Sequence, residues 1–134
     1  MNLVVSTVVK APLDIVWNTY ISPEHILRWN AASEDWHTTQ ATSDFQNGGR
    51  FCYRMEAKDG SFGFDFEGNF ISIQPKERIV YSIGERKAEV VFSPEQEGVG
   101  VQVSFEPEET YPLEHQQAGW QAILDSFKRY AESM

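Results

Sequence analysis

The sequence lacks several features that would place it in a particular class of protein. It contains a single cysteine, Cys52, so no internal disulfide can form, which fits a reducing compartment. No run of about 18 apolar residues occurs, which excludes a membrane-spanning helix. The N-terminal segment has no basic region leading into a continuous apolar stretch, so a secretory signal peptide is not expected. These absences predict a soluble, cytoplasmic protein.

Basic residues are scarce, above all in the second half of the chain. No Lys or Arg lies between Lys87 and Lys128, whereas eight acidic residues occur from Glu89 to Asp125, and the net charge is −9. Nucleic acids and anionic membrane surfaces both require clustered Lys and Arg. The sequence therefore predicts neither of these partners, and we interpret the acidic stretch as a solubilising surface.

The usual sequence signatures of metal and cofactor sites are also missing. The three histidines, His25, His37 and His115, occur singly, without a second ligand three or four residues away. No phosphate-binding loop or nucleophile elbow is present, so we expect no metal and no cofactor. Cys52 has no neighbouring feature that would lower its thiol pKa, and we interpret it as an inert packing residue.

What is present is the pattern of one α+β domain spanning residues 1–134. The β-branched residues from 3 to 10 predict a first strand. Pro12 and the Ser22-Pro23-Glu24 sequence each predict the start of a short helix, over about 12–20 and 23–30. From Trp36 to Glu106, turn signals separate five or six antiparallel strands.

Apolar and polar residues alternate along these strands, so each strand has one face toward a shared interior. The inward sets are Phe51, Tyr53 and Met55; Ile79, Tyr81 and Ile83; Ala88, Val90 and Phe92; and Val99, Val101, Val103 and Phe105. The alternation changes phase within the segment from Ser61 to Gln74, which predicts a bulge near Gly68. Whether Asp65 and Glu67 face inward depends on where the register resets, so both orientations remain open.

The segment after Pro112 carries apolar residues three and four positions apart over about twenty residues, which predicts a long amphipathic helix. A sheet with one apolar face needs a cover, and only this helix is long enough to lie across it. The predicted architecture is a curved antiparallel sheet of six to seven strands around a long C-terminal helix, with two short helices after the first strand.

The chain resembles the START-like, or SRPBCC, superfamily with the helix-grip fold, and within it the bacterial group similar to the C-terminal domain of the activator of heat-shock-protein-90 ATPase. The resemblance covers essentially all 134 residues. It is carried by the order and spacing of Ala11-Pro12 through Trp17, Pro23-Glu24-His25-Ile26 with Trp29, Gly48-Gly49-Arg50-Phe51, the Gly68-to-Pro75 strand end, and Gly119-Trp120. It implies a cavity between sheet and helix, which in the superfamily often holds lipids, sterols, polyketides or plant-type aromatics.

The segment Trp29 to His37, WNAASEDWH, departs from many relatives, which carry a second tryptophan at the position of Asn30. Two tryptophans and several polar groups within nine residues are awkward either to bury or to expose, so this segment is predicted to form an end wall of the cavity. Asn30 is then the position expected to set ligand preference, and that end of the cavity is expected to be more polar.

The main functional hypothesis is non-catalytic binding of a small hydrophobic or aromatic molecule, lipid, polyketide or flavonoid-like. Aromatic residues are numerous, with four Trp, five Tyr and nine Phe, and they serve either as packed core or as cavity lining. The expected wall residues are Trp29, Trp36, Phe51, Tyr53, Phe64, Trp120, Ile123 and Phe127. The expected orienting polar groups are Asn30, His37 and Asp65.

Two alternatives remain open. The first is a protein-interaction module resembling the chaperone activator domain. The eukaryotic activators carry an additional N-terminal domain, so stimulation of the chaperone would require this domain alone to suffice. The second is a cyclase- or hydrolase-like enzyme that uses His37 with Asp35, Asp65 or Glu67 as general acid and base. This alternative requires His37 to lie within hydrogen-bond reach of one of these carboxylates.

Overall fold

The computed structural model describes residues 2–134, which form seven strands and three helices in the predicted order. The strands are β1 (Leu3–Val9), β2 (Trp36–Ser43), β3 (Arg50–Ala57), β4 (Gly63–Gln74), β5 (Arg78–Ile83), β6 (Arg86–Glu95) and β7 (Gly98–Phe105). The helices are α1 (Leu13–Ile21), α2 (Pro23–Trp29) and α3 (Leu113–Glu132). No helix within residues 2–134 combines the length and the apolar character needed to cross a membrane.

The seven strands form one curled antiparallel sheet in the order β1-β7-β6-β5-β4-β3-β2. The six strands from β2 to β7 are joined in order by hairpins. Strand β1 pairs with β7 and is the last strand of the sheet on that side. The two edges of the sheet are therefore β1 and β2. The predicted α+β helix-grip architecture is confirmed, at the upper end of the predicted strand number.

The core lies between the concave face of the sheet and α3. The inward positions of β6 and β7 are almost completely buried, as the alternation predicted, and Phe105 at the end of β7 is fully buried. The ring of Trp120 on α3 stacks on Phe105 at a centroid distance of 4.0 Å and an interplanar angle of 7°. Phe127, further along α3, packs edge-on against Tyr20 and Trp29 at 5.1 and 5.0 Å. Together these contacts hold α3 against α1, α2 and β7.

Hydrogen bonds from side chains fasten α3 to the edge strand β1. Three side chains on one face of the helix donate to alternate carbonyl oxygens of β1: Gln117 Nε2 to Val4 at 3.0 Å, Gln121 Nε2 to Ser6 at 3.1 Å, and Lys128 Nζ to Val8 at 2.6 Å. The backbone N–H of Lys10 donates to Glu132 Oε2 at 2.8 Å. The helix therefore satisfies edge acceptors that would otherwise be open to another strand.

The predicted change of phase in β4 is present, but it lies further along the strand than Gly68. The register between β4 and β5 shifts between Phe70 and Ser72. Gly68 has a different role, because a Cβ built on it would overlap the carbonyl oxygen of Ser82 and lie 3.1 Å from Phe51 Cζ. Because the register holds through Phe70, Asp65 and Glu67 lie on the face opposite Phe66 and Phe70.

Candidate ligand-binding cavity

A cavity of about 450 Å³ lies between the concave face of the sheet and the three helices. This volume falls within the range of small-molecule sites, roughly 300–1,000 Å³. Its lining is mostly apolar and comes from every part of the fold except β1 and β2: Tyr20, Ile21, Ile26, Trp29, Asn30, Phe45, Phe51, Tyr53, Met55, Phe64, Asp65, Phe66, Glu67, Phe70, Ile79, Tyr81, Ile83, Arg86, Val103, Glu108, Trp120, Ile123 and Leu124.

The position of the cavity follows from how α3 is held. Its hydrogen bonds to β1 and the stacking of Trp120 on Phe105 draw the helix toward the β1–β7 side of the sheet. Over β3, β4 and β5 the sheet curls away, and there Trp120 meets Phe66 only edge-on at a centroid distance of 6.1 Å. The inward side chains of β3 and β5 therefore line a space that they fill only in part.

Three tyrosine hydroxyls belong to this lining. Tyr20 comes from α1, Tyr53 from β3 and Tyr81 from β5. None of the three hydroxyls makes a hydrogen bond to another residue in the described part of the chain. Burial raises the pKa of all three, and for Tyr81 it outweighs the opposite effect of the Arg86 charge. The three hydroxyls therefore stay protonated at neutral pH and remain available as donors.

Asn30 adds an amide to the cavity wall where α2 ends. Its side chain is 8% exposed, and its Nδ2 is buried without a hydrogen-bond partner among residues 2–134. Its backbone is held firmly, because its N–H donates to the carbonyl of Ile26 at 3.0 Å and its carbonyl accepts from Thr38 Oγ1 at 2.6 Å. The backbone of Asn30 is thus fixed, while the donor group of its side chain is unsatisfied among the described residues.

Trp29 is fixed just as firmly beside Asn30. Its Nε1 donates to the carbonyl of Thr19 at 2.9 Å, and its own carbonyl accepts from Ser126 Oγ on α3 at 2.8 Å. The indole ring also lies 5.2 Å from the ring of Tyr20. Trp29 therefore ties α1, α2 and α3 together and presents a ring face, rather than a polar group, to the cavity.

One ion pair borders the cavity. Arg86 Nη2 lies 3.5 Å from Glu108 Oε1, and Arg86 Nη1 donates to the carbonyl of Glu106 at 3.1 Å. Both side chains of the pair are partly exposed, so their mutual attraction is screened and contributes little to stability. The guanidinium is nevertheless already engaged by two acceptors of the protein.

Seven of the eleven residues expected at the site line the cavity through side chains on the inward face: Trp29, Asn30, Phe51, Tyr53, Phe64, Trp120 and Ile123. Asp65 borders the cavity, but its carboxylate lies on the outer face, 3.4 Å from Arg54 Nη1. Trp36, His37 and Phe127 do not line it. Phe127 is fully buried in the core instead, because the turn of α3 that carries it packs against α1 and α2.

Trp36 belongs to an exposed group of aromatic residues at the β3–β4 hairpin. Its ring lies 6.0 Å from both Phe62 and Phe64, and Phe62 is 61% exposed. We call Trp36, Phe62 and Phe64 the hairpin aromatic patch. Because Phe64 also lines the cavity, the patch adjoins it. The predicted end wall is therefore limited to Trp29 and Asn30, and the remainder of the Trp29-to-His37 segment lies outside.

The proposed acid–base residues are not brought together. His37 is exposed and lies opposite Glu56 in the β2–β3 register. In residues 2–134 it makes no hydrogen bond to Asp35, Asp65 or Glu67, and Asp35 is itself exposed on the loop before β2. The geometry that the enzyme alternative requires is thus missing from the described structure.

A cluster that the sequence does not predict lies on the outer face of the sheet. Cys52 Sγ and carboxylate oxygens of Asp65 and Glu67 lie within 4.8 Å of one another. Arg50 and Arg54 pair with Glu67 and Asp65 at 3.5 and 3.4 Å. Burial, then the neighbouring carboxylates, raise the pKa of the Cys52 thiol, which favours the protonated and less reactive form.

Sequence reasoning missed four cavity residues with polar groups: Tyr20, Tyr81, Arg86 and Glu108. Tyr81 belongs to an inward set of β5 and Tyr20 lies in α1, but neither was expected at the site. A signal was present, because a buried tyrosine normally finds a partner for its hydroxyl, and aliphatic neighbours such as Ile79 and Ile83 offer none. Arg86 and Glu108 sit next to turns, and no periodicity marks such positions.

The curled sheet, the helix held across it and the cavity between them define a helix-grip protein of the START-like, or SRPBCC, type. The sequence profile of the family described as "Activator of Hsp90 ATPase homolog 1-like protein" matches residues 10–132. The chain therefore belongs to this family, and the predicted resemblance is confirmed.

Solved structures agree with this assignment. The chain is similar to an AHSA1-like protein from Aeromonas hydrophila, with 43% identity, a TM-score of 0.93, and 99% of this chain and 93% of that chain covered. A protein from Cytophaga hutchinsonii is 43% identical over 98% of this chain and 91% of its own, with a TM-score of 0.81. A protein from Chromobacterium violaceum, 21% identical with a TM-score of 0.88 and 98% of each chain covered, shows the shared fold. No curated protein matches the sequence.

Proposed function

We propose that this protein binds a small apolar molecule in the cavity between α3 and the sheet, without catalysing a reaction on it. The observation that carries the proposal is the cavity itself, which encloses about 450 Å³ lined mainly by aromatic and aliphatic side chains. Interiors of proteins are normally packed to the density of organic crystals, so a space of this size is a feature of the fold and not ordinary packing. Apolar walls with a few polar groups are typical of ligand sites.

Filling the cavity tests this proposal. Ile123 lies on the cavity side of α3, so Ile123→Trp places a large ring in the space a ligand would occupy. The ligand would then lose apolar contact comparable to that of one buried side chain, which is worth ~1.5–3 kcal/mol of binding free energy. Such a loss weakens binding by about tenfold or more. We expect the neutral fluorescent probe N-phenyl-1-naphthylamine to bind the unaltered protein saturably, and Ile123→Trp to bind it at least about tenfold more weakly.

The matched control is Ile71→Trp, which introduces the same ring at an exposed isoleucine on the outer face of β4. It should bind the probe as the unaltered protein does. Thermal unfolding of both variants shows whether either substitution disturbs the fold. Equal probe binding by Ile123→Trp and Ile71→Trp, or no saturable binding of any apolar probe, would count decisively against the proposal.

A second candidate function is contact with a chaperone of the Hsp90 class, as the family description suggests. The observation that favours it is the hairpin aromatic patch, because exposed adjoining aromatic residues are typical of protein interfaces. On this hypothesis the unaltered protein raises the ATPase rate of a bacterial Hsp90, and Phe62→Ala loses at least half of that increase. Ile71→Ala, which removes another exposed apolar side chain, should retain it. An ATPase rate that does not respond to the unaltered protein rules this candidate out.

A further inference from the structure

Four polar residues of the cavity lining, three tyrosines and one asparagine, offer hydrogen-bond donors that no other described residue accepts. The Nδ2 of Asn30 is buried without a hydrogen-bond partner among the described residues, and the hydroxyls of Tyr20, Tyr53 and Tyr81, whose side chains line the same cavity, make no hydrogen bond within this part of the chain. A buried donor without a partner costs about 1–3 kcal/mol, so the amide of Asn30 favours an occupant that accepts its hydrogen, and the three hydroxyls are available to the same occupant. The neighbouring phenylalanines at 51, 66 and 70 show that a ring without a hydroxyl fits the same surface.

The hydroxyls come from separate elements of the fold but influence one another. After burial, the largest remaining effect on the pKa of Tyr53 is the proximity of Tyr20, and both Tyr20 and Tyr53 help to raise the pKa of Tyr81. The rings of Tyr53 and Tyr81 both lie beside Phe51, at centroid distances of 5.2 and 5.4 Å, and no hydrogen bond joins the three hydroxyls to one another. The three tyrosines and Asn30 thus contribute donors to the lining of one cavity.

The electrostatic surroundings favour a neutral acceptor over an anion. A carboxylate in this region would lose its hydration, which is costly unless a cation pairs with it. The cation in the cavity lining is Arg86, and its guanidinium already contacts Glu108 and the carbonyl of Glu106. A carbonyl oxygen avoids this cost, because it accepts two hydrogen bonds and carries no charge.

Building on the proposed function, we propose that the bound molecule carries a neutral carbonyl group on an apolar, ring-sized body, and that its oxygen accepts hydrogen bonds from two of the four cavity donors, namely the hydroxyls of Tyr20, Tyr53 and Tyr81 and the amide of Asn30. The apolar body packs against the aromatic wall. The ligand class is therefore an apolar ketone, ester or quinone-like compound, and neither a plain hydrocarbon nor a fatty acid.

Three small probes of similar shape test this inference by calorimetric titration. Benzophenone carries the carbonyl, diphenylmethane has the same two rings without it, and diphenylacetate carries a carboxylate. We expect benzophenone to bind about tenfold more tightly than either of the others. Because the carbonyl oxygen accepts two hydrogen bonds, at least one of Tyr20→Phe, Tyr53→Phe and Tyr81→Phe should weaken benzophenone binding about three- to tenfold, the usual effect of one hydrogen bond, and all three should leave diphenylmethane binding unchanged.

Tyr111→Phe is the matched control, because Tyr111 is exposed and lies outside the cavity. It should bind all three probes as the unaltered protein does. The infrared carbonyl stretch of bound benzophenone provides a readout that a purely structural role would not move. It should lie at lower frequency than in an apolar solvent and shift back upward in those cavity Tyr→Phe variants that weaken benzophenone binding.

The possible outcomes separate this inference from the proposed function. Equal affinity for benzophenone and diphenylmethane, or no effect of the cavity Tyr→Phe substitutions on benzophenone, overturns the carbonyl site and leaves apolar binding in place. Tighter binding of diphenylacetate shows that the site is anionic and also overturns the inference. If none of the probes bind, including N-phenyl-1-naphthylamine, the proposed function itself fails.

Discussion

Replacing Phe127 with alanine is expected to lower the free energy of unfolding by about 3–5 kcal/mol, the usual cost of truncating a buried phenylalanine. Phe127 is 0% exposed and packs edge-on against Tyr20 and Trp29, so its ring joins α3 to α1 and to the end of α2. These contacts link three helices, so we expect the space left by the ring to remain unfilled. Urea denaturation followed by far-ultraviolet circular dichroism measures the change.

The control for Phe127→Ala is Phe62→Ala, which removes the same ring from an exposed position. A surface substitution of this kind usually changes the free energy of unfolding by no more than about 0.5 kcal/mol. The comparison also tests the sequence-based prediction that Phe127 contacts the ligand. A small loss of stability for Phe127→Ala, close to that of Phe62→Ala, would mean that the ring faces an open cavity and not the packed core.

Two glycine-to-alanine substitutions are expected to have opposite effects on stability. At Gly68 the added methyl group meets the backbone carbonyl of Ser82 on β5, which cannot rotate away as a side chain could. Overpacking of a core typically costs about 1–3 kcal/mol, and a clash with the backbone of a neighbouring strand belongs at or above the upper end of that range. We therefore expect Gly68→Ala to lower the free energy of unfolding by about 3 kcal/mol.

At Gly119 the same substitution is expected to stabilise the protein. Gly119 lies inside α3, and no atom lies within 4 Å of the place that an added methyl group would occupy. Alanine in a helix interior is favoured over glycine by about 0.5–1 kcal/mol, because glycine loses more backbone freedom on folding. Thermal unfolding of the two variants side by side should give a lower midpoint for Gly68→Ala and a higher one for Gly119→Ala. The same sign for both would refute the close approach of β4 and β5 at Gly68.

The order of the elements was predictable because each leaves a local signature in the sequence. These signatures are short sequence patterns. They are the β-branched residues before Pro12, the alternation along β3, β5, β6 and β7, and the apolar stripe of α3. The position of the irregularity in β4 was not predictable from such signals. A glycine in a strand marks either a bulge or a close approach of another backbone, and only the packing of Gly68 against Ser82 decides between them.

The candidate site was predictable where an inward strand position coincided with an aromatic residue, as for Phe51 and Tyr53, and where the apolar stripe of α3 faced the sheet, as for Trp120 and Ile123. The orientation of Asp65 depended on where the register of β4 changes, which the local sequence leaves open. His37 was assigned to the interior because it follows Trp36 in an unusual segment, but the register of the edge strand β2 places it in solvent. Tyr20 and Tyr81 are far apart in the chain. They line the same cavity because the whole sheet curls.

The hydrogen bonds from α3 to β1 also limit how copies of this protein can associate. A fibril that grows by strand addition needs two free sheet edges on every molecule, because one edge pairs with the preceding copy and the other with the following copy. In this protein the carbonyls of Val4, Ser6 and Val8 on the edge strand β1 already accept hydrogen bonds from helix side chains, whereas the other edge strand among the described residues, β2, is not covered in this way. Pairing of sheet edges is therefore expected to join two molecules through β2 and to add no third one at β1. The helix that shapes the cavity thus also opposes the growth of fibrils by strand addition.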